Sequence, residues 1–346
     1  MNASKSILVV GAGLSGICVT LQLLNHGCSV TLIDNSVNHS SRVAAGMINP
    51  LVFRRMTKSW RVDDFMPFLK RFYTELENET GSSFFHPIQI RRLFSSEQEH
   101  DFWLENEKKD SFLSYMHPLS PDDYSYGECK NPFGSGRVKE SSFVDVNAFM
   151  NATLALIQKS SLILKESFDA NQLDRTNYKG VDYDEIVFCQ GYLNSTNPFF
   201  NTLPIDPTKG QVLTVSSKTI PKDISINRKC FVLPLGGNSF KVGSTYEWHN
   251  TTLNCTKEAK NDILKSLAFL TEEEVVVISQ AAGIRPTTRD RRPTIGTHQE
   301  HKNYHIFNGL GAKGYMLAPL LSREFVDYLI SGTKLAEEVN IIRFKS

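Results

Sequence analysis

The chain has 346 residues, of which 40% are hydrophobic, so it is long enough for about two domains, each with its own apolar core. Its 38 basic and 37 acidic residues leave a formal net charge of +1, which argues against a protein that grips nucleic acid through its phosphates. The six cysteines include no CxxC pair and no Cys/His cluster at zinc spacing, which argues against a metal site or a disulfide framework and predicts reduced thiols in the cytoplasm.

The N-terminal segment at 5–24 is apolar, but glycines and a glutamine interrupt it, and no small-residue cleavage site follows. We therefore expect mature structure here rather than a signal peptide. The rest of the chain contains no uninterrupted apolar stretch of about 20 residues, so the sequence predicts no membrane span.

The first predicted unit is βαβ. A fully apolar strand at 7–10 is typical of a strand inside a parallel sheet. Apolar residues then recur at helical spacing over 14–24. A second apolar strand at 29–33 ends at Asp34.

The segment between this strand and this helix has the GxGxxG pattern, formed by Gly11, Ala12, Gly13, Leu14, Ser15 and Gly16. Gly11 allows the tight turn, Gly13 lets a pyrophosphate approach the backbone, and Gly16 lets the helix pack against the strand. Asp34 follows Gly16 by 18 residues, where a carboxylate accepts hydrogen bonds from ribose hydroxyls. The unit predicts dinucleotide binding, but the motif does not choose between NAD and FAD.

Further elements follow along the chain. Periodicity and capping signals predict helices at 63–76, 142–159 (capped near Asp145), 257–270 and 316–329. Apolar runs predict strands at 162–165, 185–189, 211–215, 230–234 and 240–244. Cys189 lies in one of these apolar strands, so we interpret it as a small core residue rather than a reactive thiol.

Short, specific patterns lie at 42–50, 207–211, 240–245, 283–296 and 309–319. They contain an AAGM loop, a KGQ turn, and a GIRP…D..P.IG segment followed by GLGAKGYMLAP. Taken in this order, the chain resembles, from about residue 5 to residue 330, the D-amino-acid oxidase/glycine oxidase family of FAD-dependent amine oxidoreductases. That family includes sarcosine oxidases and the oxidase domain of the bifunctional enzyme that modifies wobble uridine in tRNA.

The resemblance implies FAD as a non-covalent cofactor, because no Cys or His occupies 285–296, where related sarcosine oxidases carry the cysteine that attaches their flavin. It implies that the AAGM loop runs beside the flavin ring, with the cofactor meeting Arg42, Ala45, Gly46 and Met47. A plain turn is the alternative for this loop. The backbone near Phe168 and Gly191 would lie by the nucleotide.

The C-terminal block would meet the flavin through Gly309, Gly311, Ala312, Lys313, Gly314, Tyr315 and Met316. The helix that follows would point its partial positive charge at the flavin, where negative charge develops on reduction. Leu310 departs from the family's commoner His. For Lys313, three interpretations stay open: it reinforces this positive charge, it helps to activate oxygen, or it is a solvated surface lysine.

Arg285 is the predicted substrate residue. The family's GIRP arginine holds the substrate carboxylate, and a guanidinium matches a carboxylate with two parallel hydrogen bonds. An ion pair with Asp290 or a neighbouring acid is the alternative. Tyr246 and Trp248 either wall the substrate cavity or pack in the core. Two clusters of arginines remain. We interpret Arg289, Arg291 and Arg292 as part of a solvated loop. Arg54 and Arg55 could instead admit an acidic substrate.

The predicted fold class is α/β, with a Rossmann-type FAD-binding domain on a parallel sheet interleaved with an α+β substrate domain on an antiparallel sheet. We expect the FAD-binding domain to take 1–50, 140–205 and 283–346. The substrate domain would take 51–139 and 206–282.

The resemblance implies an enzyme, an FAD-dependent oxidase or dehydrogenase that oxidises the CH–NH bond of an amino acid or secondary amine by hydride transfer to flavin N5. The alternatives are oxidation of a 2-hydroxy acid with the same carboxylate clamp, removal of a carboxymethylamino group from tRNA, and a non-catalytic flavin-binding module. The expected partners are a small-molecule amine or amino acid and oxygen or another electron acceptor, without nucleic acid. The sequence does not give the oligomeric state.

Overall fold

The computed structural model describes residues 4–36, 40–126 and 129–344. Within these ranges the α-helices are α1 (Leu14–Asn25), α2 (Ser40–Val43), α3 (Val62–Thr80), α4 (Glu97–Asn106), α5 (Pro121–Tyr124), α6 (Val146–Ile157), α7 (Lys257–Leu267) and α8 (Gly314–Ser331). None of these described helices has the length and apolar character needed to span a membrane.

The strands within the same ranges are short in the first half of the chain and longer in the second. In chain order they are β1 (Ser6–Val10), β2 (Ser29–Ile33), β3 (Met47–Ile48), β4 (Leu51–Val52), β5 (Thr57–Lys58), β6 (Phe85–Pro87), β7 (Gln89–Leu93), β8 (Ser135–Val138), β9 (Ser142–Val144), β10 (Leu162–Leu164), β11 (Leu173–Asp174), β12 (Asn177–Tyr178), β13 (Val181–Asp182), β14 (Glu185–Phe188), β15 (Ile205–Ser216), β16 (Ile224–Arg228), β17 (Cys230–Gly236), β18 (Ser239–Gly243), β19 (Glu247–Trp248), β20 (Val276–Thr288), β21 (Thr294–Thr297) and β22 (Tyr304–Asn308).

The first large sheet has six strands in the order β10-β2-β1-β14-β22-β21. Its neighbours are parallel except for β21, which is antiparallel to β22. β1 is apolar and buried from Ile7 to Val10 because the sheet is covered on both faces. On one of those faces α1 packs against α6 and α8. The predicted Rossmann-type parallel sheet is confirmed.

The turn from β1 into α1 depends on glycine. Gly11 has a φ of +103°, which side chains rarely permit. A Cβ on Gly16 would lie 1.8 Å from the carbonyl oxygen of Gly11, so the first turn of α1 packs directly on the backbone of the preceding turn. The helix N-terminus is therefore fixed at the carboxyl end of β1.

The second large sheet has eight strands, in the order β19-β15-β18-β17-β16-β7-β8, with β20 also paired to β15. Only β16 and β7 are parallel; the other pairs are antiparallel. One face of this sheet packs against α7, where Leu213, Ile226 and Phe240 share a buried cluster with Ile263 and Leu267. The opposite face is turned toward the first sheet.

Three expectations from the sequence change. The segment predicted as a helix at 142–159 is β9 followed by α6, because the Asp145 side chain caps α6 by accepting from two backbone amides. The KGQ segment at 209–211 is not a turn but the interior of β15, paired with β20 along its length. β15 also starts earlier than predicted, at Ile205. The predicted domain limits stay a prediction, and the one at residue 283 falls within β20.

We predict that Gly16→Ala lowers the free energy of unfolding by about 3 kcal/mol, because the new Cβ collides with backbone rather than with a movable side chain. Gly13→Ala is the matched control, since a Cβ there would meet only the Ser41 hydroxyl oxygen, at 3.4 Å. Chemical denaturation of the protein freed of cofactor measures both. Equal loss of stability in the two variants would contradict the packing described for α1.

Candidate active site

A cavity of about 440 Å³ lies between the two large sheets. Its lining comes from the turns after β1, β2 and β14, from the segments 43–53 and 310–316, and from one face of the second sheet. Open parallel sheets bind ligands just outside the carboxyl ends of their strands, which is where these turns meet. The second sheet closes the cavity from the other side.

One end of the cavity is formed by the GxGxxG turn. Gly11, Gly13, Leu14 and Ser15 line it, and the N-cap residue of α1, Gly13, has no side chain that could cap the helix. The first N–H groups of a helix lack intrahelical acceptors, and of these the Leu14 amide donates to the Ser41 hydroxyl at 3.0 Å. A glycine-lined helix N-terminus of this kind fits the pyrophosphate of a dinucleotide.

Asp34 also lines this end, and its carboxylate accepts from the backbone amides of Ala12 at 3.1 Å and Ser36 at 3.0 Å. A carboxylate has about four acceptor sites, so it can still accept from a ribose hydroxyl. Ala12 and Gly16 were predicted to meet the cofactor but are not part of the lining. The backbone amide of Ala12 donates to the Asp34 carboxylate instead, and Gly16 packs against Gly11.

The turn after β14 and the segment after β10 complete the nucleotide end, where Phe168, Cys189 and Gly191 line the cavity. The Phe168 ring stacks on Tyr178, with 5.1 Å between ring centroids. Burial raises the pKa of the Cys189 thiol, so this cysteine stays protonated. The interpretation of Cys189 as an unreactive buried residue agrees with this environment.

The AAGM loop contributes all of 44–47 to the lining. Lys241, from β18 in the second sheet, donates its ammonium to the carbonyl of Ala44 at 3.0 Å, and burial lowers the pKa of Lys241. Arg42 lies elsewhere than predicted. It donates to Asn151 on α6 at 2.9 Å and is outside the lining, because its side chain turns toward that helix.

The C-terminal block lines the cavity through 310–316. α8 begins at Gly314 without a side-chain cap, so its partial positive charge is presented to the cavity. Leu310 is nearly buried and lines the wall. Gly309, predicted as a cofactor contact, is outside the lining. Its φ of +76° makes the turn after β22, where a Cβ would lie 3.1 Å from the Thr294 amide nitrogen.

Lys313 is not a solvated surface lysine. Its ammonium donates to the carbonyls of Asn49 at 3.0 Å and Leu51 at 3.3 Å and to the hydroxyl of Ser59. Burial lowers the pKa of Lys313 to about 8, since the amino group is enclosed although the residue as a whole is partly exposed. Lys313 thus ties the start of α8 to the segment that precedes α3.

Arg285 lies on the cavity face of β20. Its guanidinium donates to the Ser244 hydroxyl at 2.9 Å and the Thr245 carbonyl at 3.4 Å, and it stacks on the ring of Tyr246 at 4.6 Å. A Cβ on Gly210 would lie 2.2 Å from two of its nitrogens, so Gly210 provides the space that the guanidinium occupies. This close approach, not a turn, explains the glycine of the KGQ segment.

The predicted alternative for Arg285, an ion pair with Asp290, is wrong, because Asp290 pairs with Arg343 at 2.9 Å. Among the residues that the structure describes, no carboxylate lies within ion-pair distance of Arg285. Burial lowers the pKa of Arg285, yet an arginine remains charged at neutral pH. The cavity therefore contains a guanidinium whose hydrogen-bond partners are neutral.

The aromatic residues after β18 are not core residues, since Tyr246 is 59% and Trp248 is 52% exposed. Tyr246 lines the cavity, whereas Trp248 is not part of the lining. Arg289 and Arg291 fit the predicted solvated loop, with the side chain of Arg289 89% exposed, whereas Arg292 is partly buried and its guanidinium lies 4.6 Å from the ring centroid of Trp60. Arg54 and Arg55 are exposed in the turn after β4, next to Phe53, which lines the cavity.

Part of the wall was missed from the sequence. It comprises Asn49, Leu51, Val52 and Phe53 before and within the β4–β5 hairpin, and Gly210, Val212, Asn227, Phe231 and Ser244 on or beside the second sheet. The strands at 211–215 and 230–234 were predicted, and alternation along them indicates which residues share a face. The order of strands in the sheet, which the sequence does not give, decides which of these faces the cavity.

The described ranges contain no group of three or more His, Cys, Asp or Glu side chains arranged to hold a metal ion. The chemical features of the cavity are its glycine-rich helix N-terminus, its positively charged side chains and its apolar wall.

A family model described as "DAO: FAD dependent oxidoreductase" matches residues 6–328. Glycine oxidase of Pseudomonas aeruginosa is 24% identical over 365 residues, which cover 95% of this chain and 95% of that protein. The bifunctional protein ThiO/ThiG of Trichormus variabilis is 22% identical over 348 residues, which cover 94% of this chain and 53% of that protein. The chain thus spans about half the length of this relative.

Among solved structures, glycine oxidase from Geobacillus kaustophilus has the same fold. The TM-score is 0.84 at 17% sequence identity, and the match covers 99% of this chain and 100% of that one. At this identity the likeness is one of fold.

We predict that Gly13→Val abolishes retention of a bound dinucleotide, because the side chain would project from the uncapped N-terminus of α1 into the space of a pyrophosphate. The stability of the cofactor-free protein should change little, since a Cβ at this position has room. Titration with FAD, followed by quenching of flavin fluorescence, measures the affinity. Full binding by the variant would show that the turn has only a structural role.

A second prediction concerns Lys313. Its pKa of about 8 is lower than the ~10.4 of a lysine in an unfolded chain, so between these values the unfolded state binds more protons and stability rises with pH. From pH 7 to pH 9 the free energy of unfolding of wild type, relative to Lys313→Met, should increase by about 1 kcal/mol. Urea denaturation of both proteins without cofactor measures it. A difference that does not change with pH would contradict the burial of this amine.

Proposed function

The chain belongs to the DAO family of FAD-dependent oxidoreductases, and on that premise we propose that it oxidises the carbon–nitrogen bond of an amino acid or secondary amine that carries a carboxylate. The chain is an enzyme of this family, and FAD is its non-covalent cofactor. The observation that carries the proposed substrate class is Arg285, a partly buried residue whose guanidinium faces the cavity without an acidic partner among the described residues.

Removing a charged group from water is costly unless an opposite charge or strong hydrogen bonds compensate for it. Arg285 has only the Ser244 hydroxyl and the Thr245 carbonyl as described acceptors, which leaves donors of the guanidinium fork unused. A carboxylate is planar and accepts two parallel N–H bonds from such a fork. Tyr246 supports the guanidinium from one side and Gly210 leaves it room, so the fork is held ready for a planar anion.

We assign the cofactor contacts by position. Gly11, Gly13, Leu14 and Ser15 would hold the pyrophosphate and Asp34 the ribose, all within the lining. The remaining assigned contacts in the lining are Ala45, Gly46, Met47, Phe168, Gly191, Gly311, Ala312, Lys313, Gly314, Tyr315 and Met316. When bound, FAD accepts the two electrons and the hydrogen that leave the substrate carbon.

The chain's own side chains have a modest task in this reaction. They bind the carboxylate, orient the carbon that loses hydrogen, and exclude water. An amine that arrives neutral needs no side-chain base, which agrees with a lining without a paired carboxylate or a histidine. The positive charges of Lys313 and of the start of α8 favour an electron-rich flavin. We assign Lys313 and Tyr246 supporting roles at the reacting end.

We further propose that the protein works in the cytoplasm with oxygen or another small electron acceptor. Five cysteines, Cys18, Cys28, Cys189, Cys230 and Cys255, are free thiols, which suits a reducing compartment. Glycine oxidases are among the relatives that match along nearly their whole length, which supports amine oxidation over oxidation of a 2-hydroxy acid.

We predict that Arg285→Ala lowers kcat/KM for a carboxylate-bearing amine by roughly 30- to 1,000-fold, because a charge-assisted bidentate contact is lost. Arg285→Lys should recover only part of the loss, since an ammonium keeps the charge without the fork. The flavin content of both variants should stay near that of wild type. Steady-state turnover, with Arg289→Ala as the control for an exposed arginine, measures the effect.

The same experiment includes an amine without a carboxylate. This substrate should be poor with wild type and hardly affected further by Arg285→Ala. If both substrates lose activity equally, Arg285 supports the fold or the cofactor, and the assignment of the carboxylate is incorrect.

A further inference from the structure

Three residues form a row across the second sheet. Asn227 on β16 is paired with Arg92 on β7 and with Phe231 on β17. Directly paired residues of neighbouring strands lie on the same face of a sheet. Asn227 and Phe231 both line the cavity, so the row continues the cavity wall away from Arg285.

Arg92 fixes the orientation of the Asn227 amide. One guanidinium nitrogen of Arg92 donates to Oδ1 of Asn227 at 2.7 Å, and since a guanidinium has no acceptor, the oxygen of the amide must be on that side. Within the described residues, Nδ2 of Asn227 has no hydrogen-bond partner. The amide therefore has two unused N–H donors on the side away from Arg92.

Arg92 is itself rigidly held. It is buried and donates to both carboxylate oxygens of Glu99, at 2.7 and 2.8 Å, and its guanidinium lies 5.2 Å from the ring centroid of Phe53. Phe53 is another lining residue. Arg92 thus contacts two residues of one cavity wall, the amide of Asn227 and the ring of Phe53, in addition to its ion pair with Glu99.

The separation from Arg285 limits what can reach both sites. The guanidinium of Arg285 lies over Gly210 on β15, and β18 and β17 stand between β15 and β16. At ~4.8 Å per strand, the two groups are on the order of 10–15 Å apart. The wall between them is apolar, formed by Val212 and Phe231.

We infer that Asn227 donates from Nδ2 to a second hydrogen-bond acceptor of the substrate, at the end opposite to its carboxylate. This inference rests on the proposed function and narrows its substrate class. The substrate is an amino acid whose side chain or nitrogen substituent is elongated, apolar in the middle and ended by a carbonyl, amide or carboxylate. Glycine has no atoms that reach this wall. Asn227 is a specificity-determining residue, and Arg92 is the residue that positions it.

Ligand binding to the FAD-loaded protein tests the inference without turnover. The probes are straight-chain carboxylates of increasing length, each in a matched pair that ends in a carboxamide or in a methyl group. Binding is followed by the perturbation of flavin absorbance. Wild type should prefer the carboxamide by about tenfold at one length, since an unused donor on the cavity wall gains its acceptor there. Asn227→Leu should remove this preference.

Asn227→Asp is the second variant. It is nearly isosteric, and Arg92 can still donate to it, so the fold is kept while the donors are lost. It should lose the preference for the carboxamide, and it should instead bind more tightly than wild type a third probe of the same length that ends in an ammonium group. Lys229→Gln, an exposed change on the β16–β17 turn, is the control and should bind like wild type. All these variants should bind FAD with unchanged affinity.

The failures are distinguishable. If wild type binds both members of every pair equally, or if the preference persists in Asn227→Leu, the inference is overturned. If the Asn227 variants lose FAD, Asn227 serves the cofactor and the inference is equally overturned. If Arg285→Ala binds all probes as well as wild type, the anchoring of the carboxylate fails, and the proposed function fails with it.

Discussion

Arg285, Lys241 and Lys313 bring three positive charges to the cavity or its wall, and each donates only to neutral oxygen atoms within the part of the chain that the structure describes. Burial lowers the pKa of all three groups, which is the expected response of a cation that has lost water without gaining an anion. The arrangement gives one end of the cavity a positive potential. A carboxylate substrate and a flavin that gains electrons both suit this potential.

The two lysines also explain how the cofactor side and the substrate side act as one site. Lys241 reaches from the second sheet to the carbonyl of Ala44, and Lys313 reaches from the start of α8 to the carbonyls of Asn49 and Leu51. The AAGM loop is therefore tied at Ala44, and the chain just beyond it is tied at Asn49 and Leu51, each time through the backbone. Because most residues of the loop have small side chains, its backbone is the surface that a ligand meets. The hydrogen bonds from the two lysines hold that surface in place.

Local patterns predict the βαβ unit of the first sheet because the information for it lies within one short segment. A buried strand, a glycine turn, an amphipathic helix and Asp34 follow each other within one βαβ unit, and the structure has this unit as predicted. The resemblance to a known family predicts that Arg285 and the C-terminal block lie at the cavity. Gly210 shows the limit: it is predicted to lie in a KGQ turn, whereas it lies within β15 beneath a guanidinium that is 75 residues away in the chain. Arg42, Gly309 and the Asn227 wall depend in the same way on packing between distant segments, which no local pattern records.

Anaerobic mixing of the FAD-loaded protein with a panel of small molecules tests the central claim most directly, with the visible absorbance of the flavin as the readout. The panel contains amino acids and N-alkyl amino acids, the corresponding amines without a carboxylate, and the corresponding 2-hydroxy acids. Members with both a carboxylate and an oxidisable amine should bleach the flavin, and the other two groups should not do so at equal concentration. Bleaching by the 2-hydroxy acids alone, or by amines irrespective of a carboxylate, would contradict it.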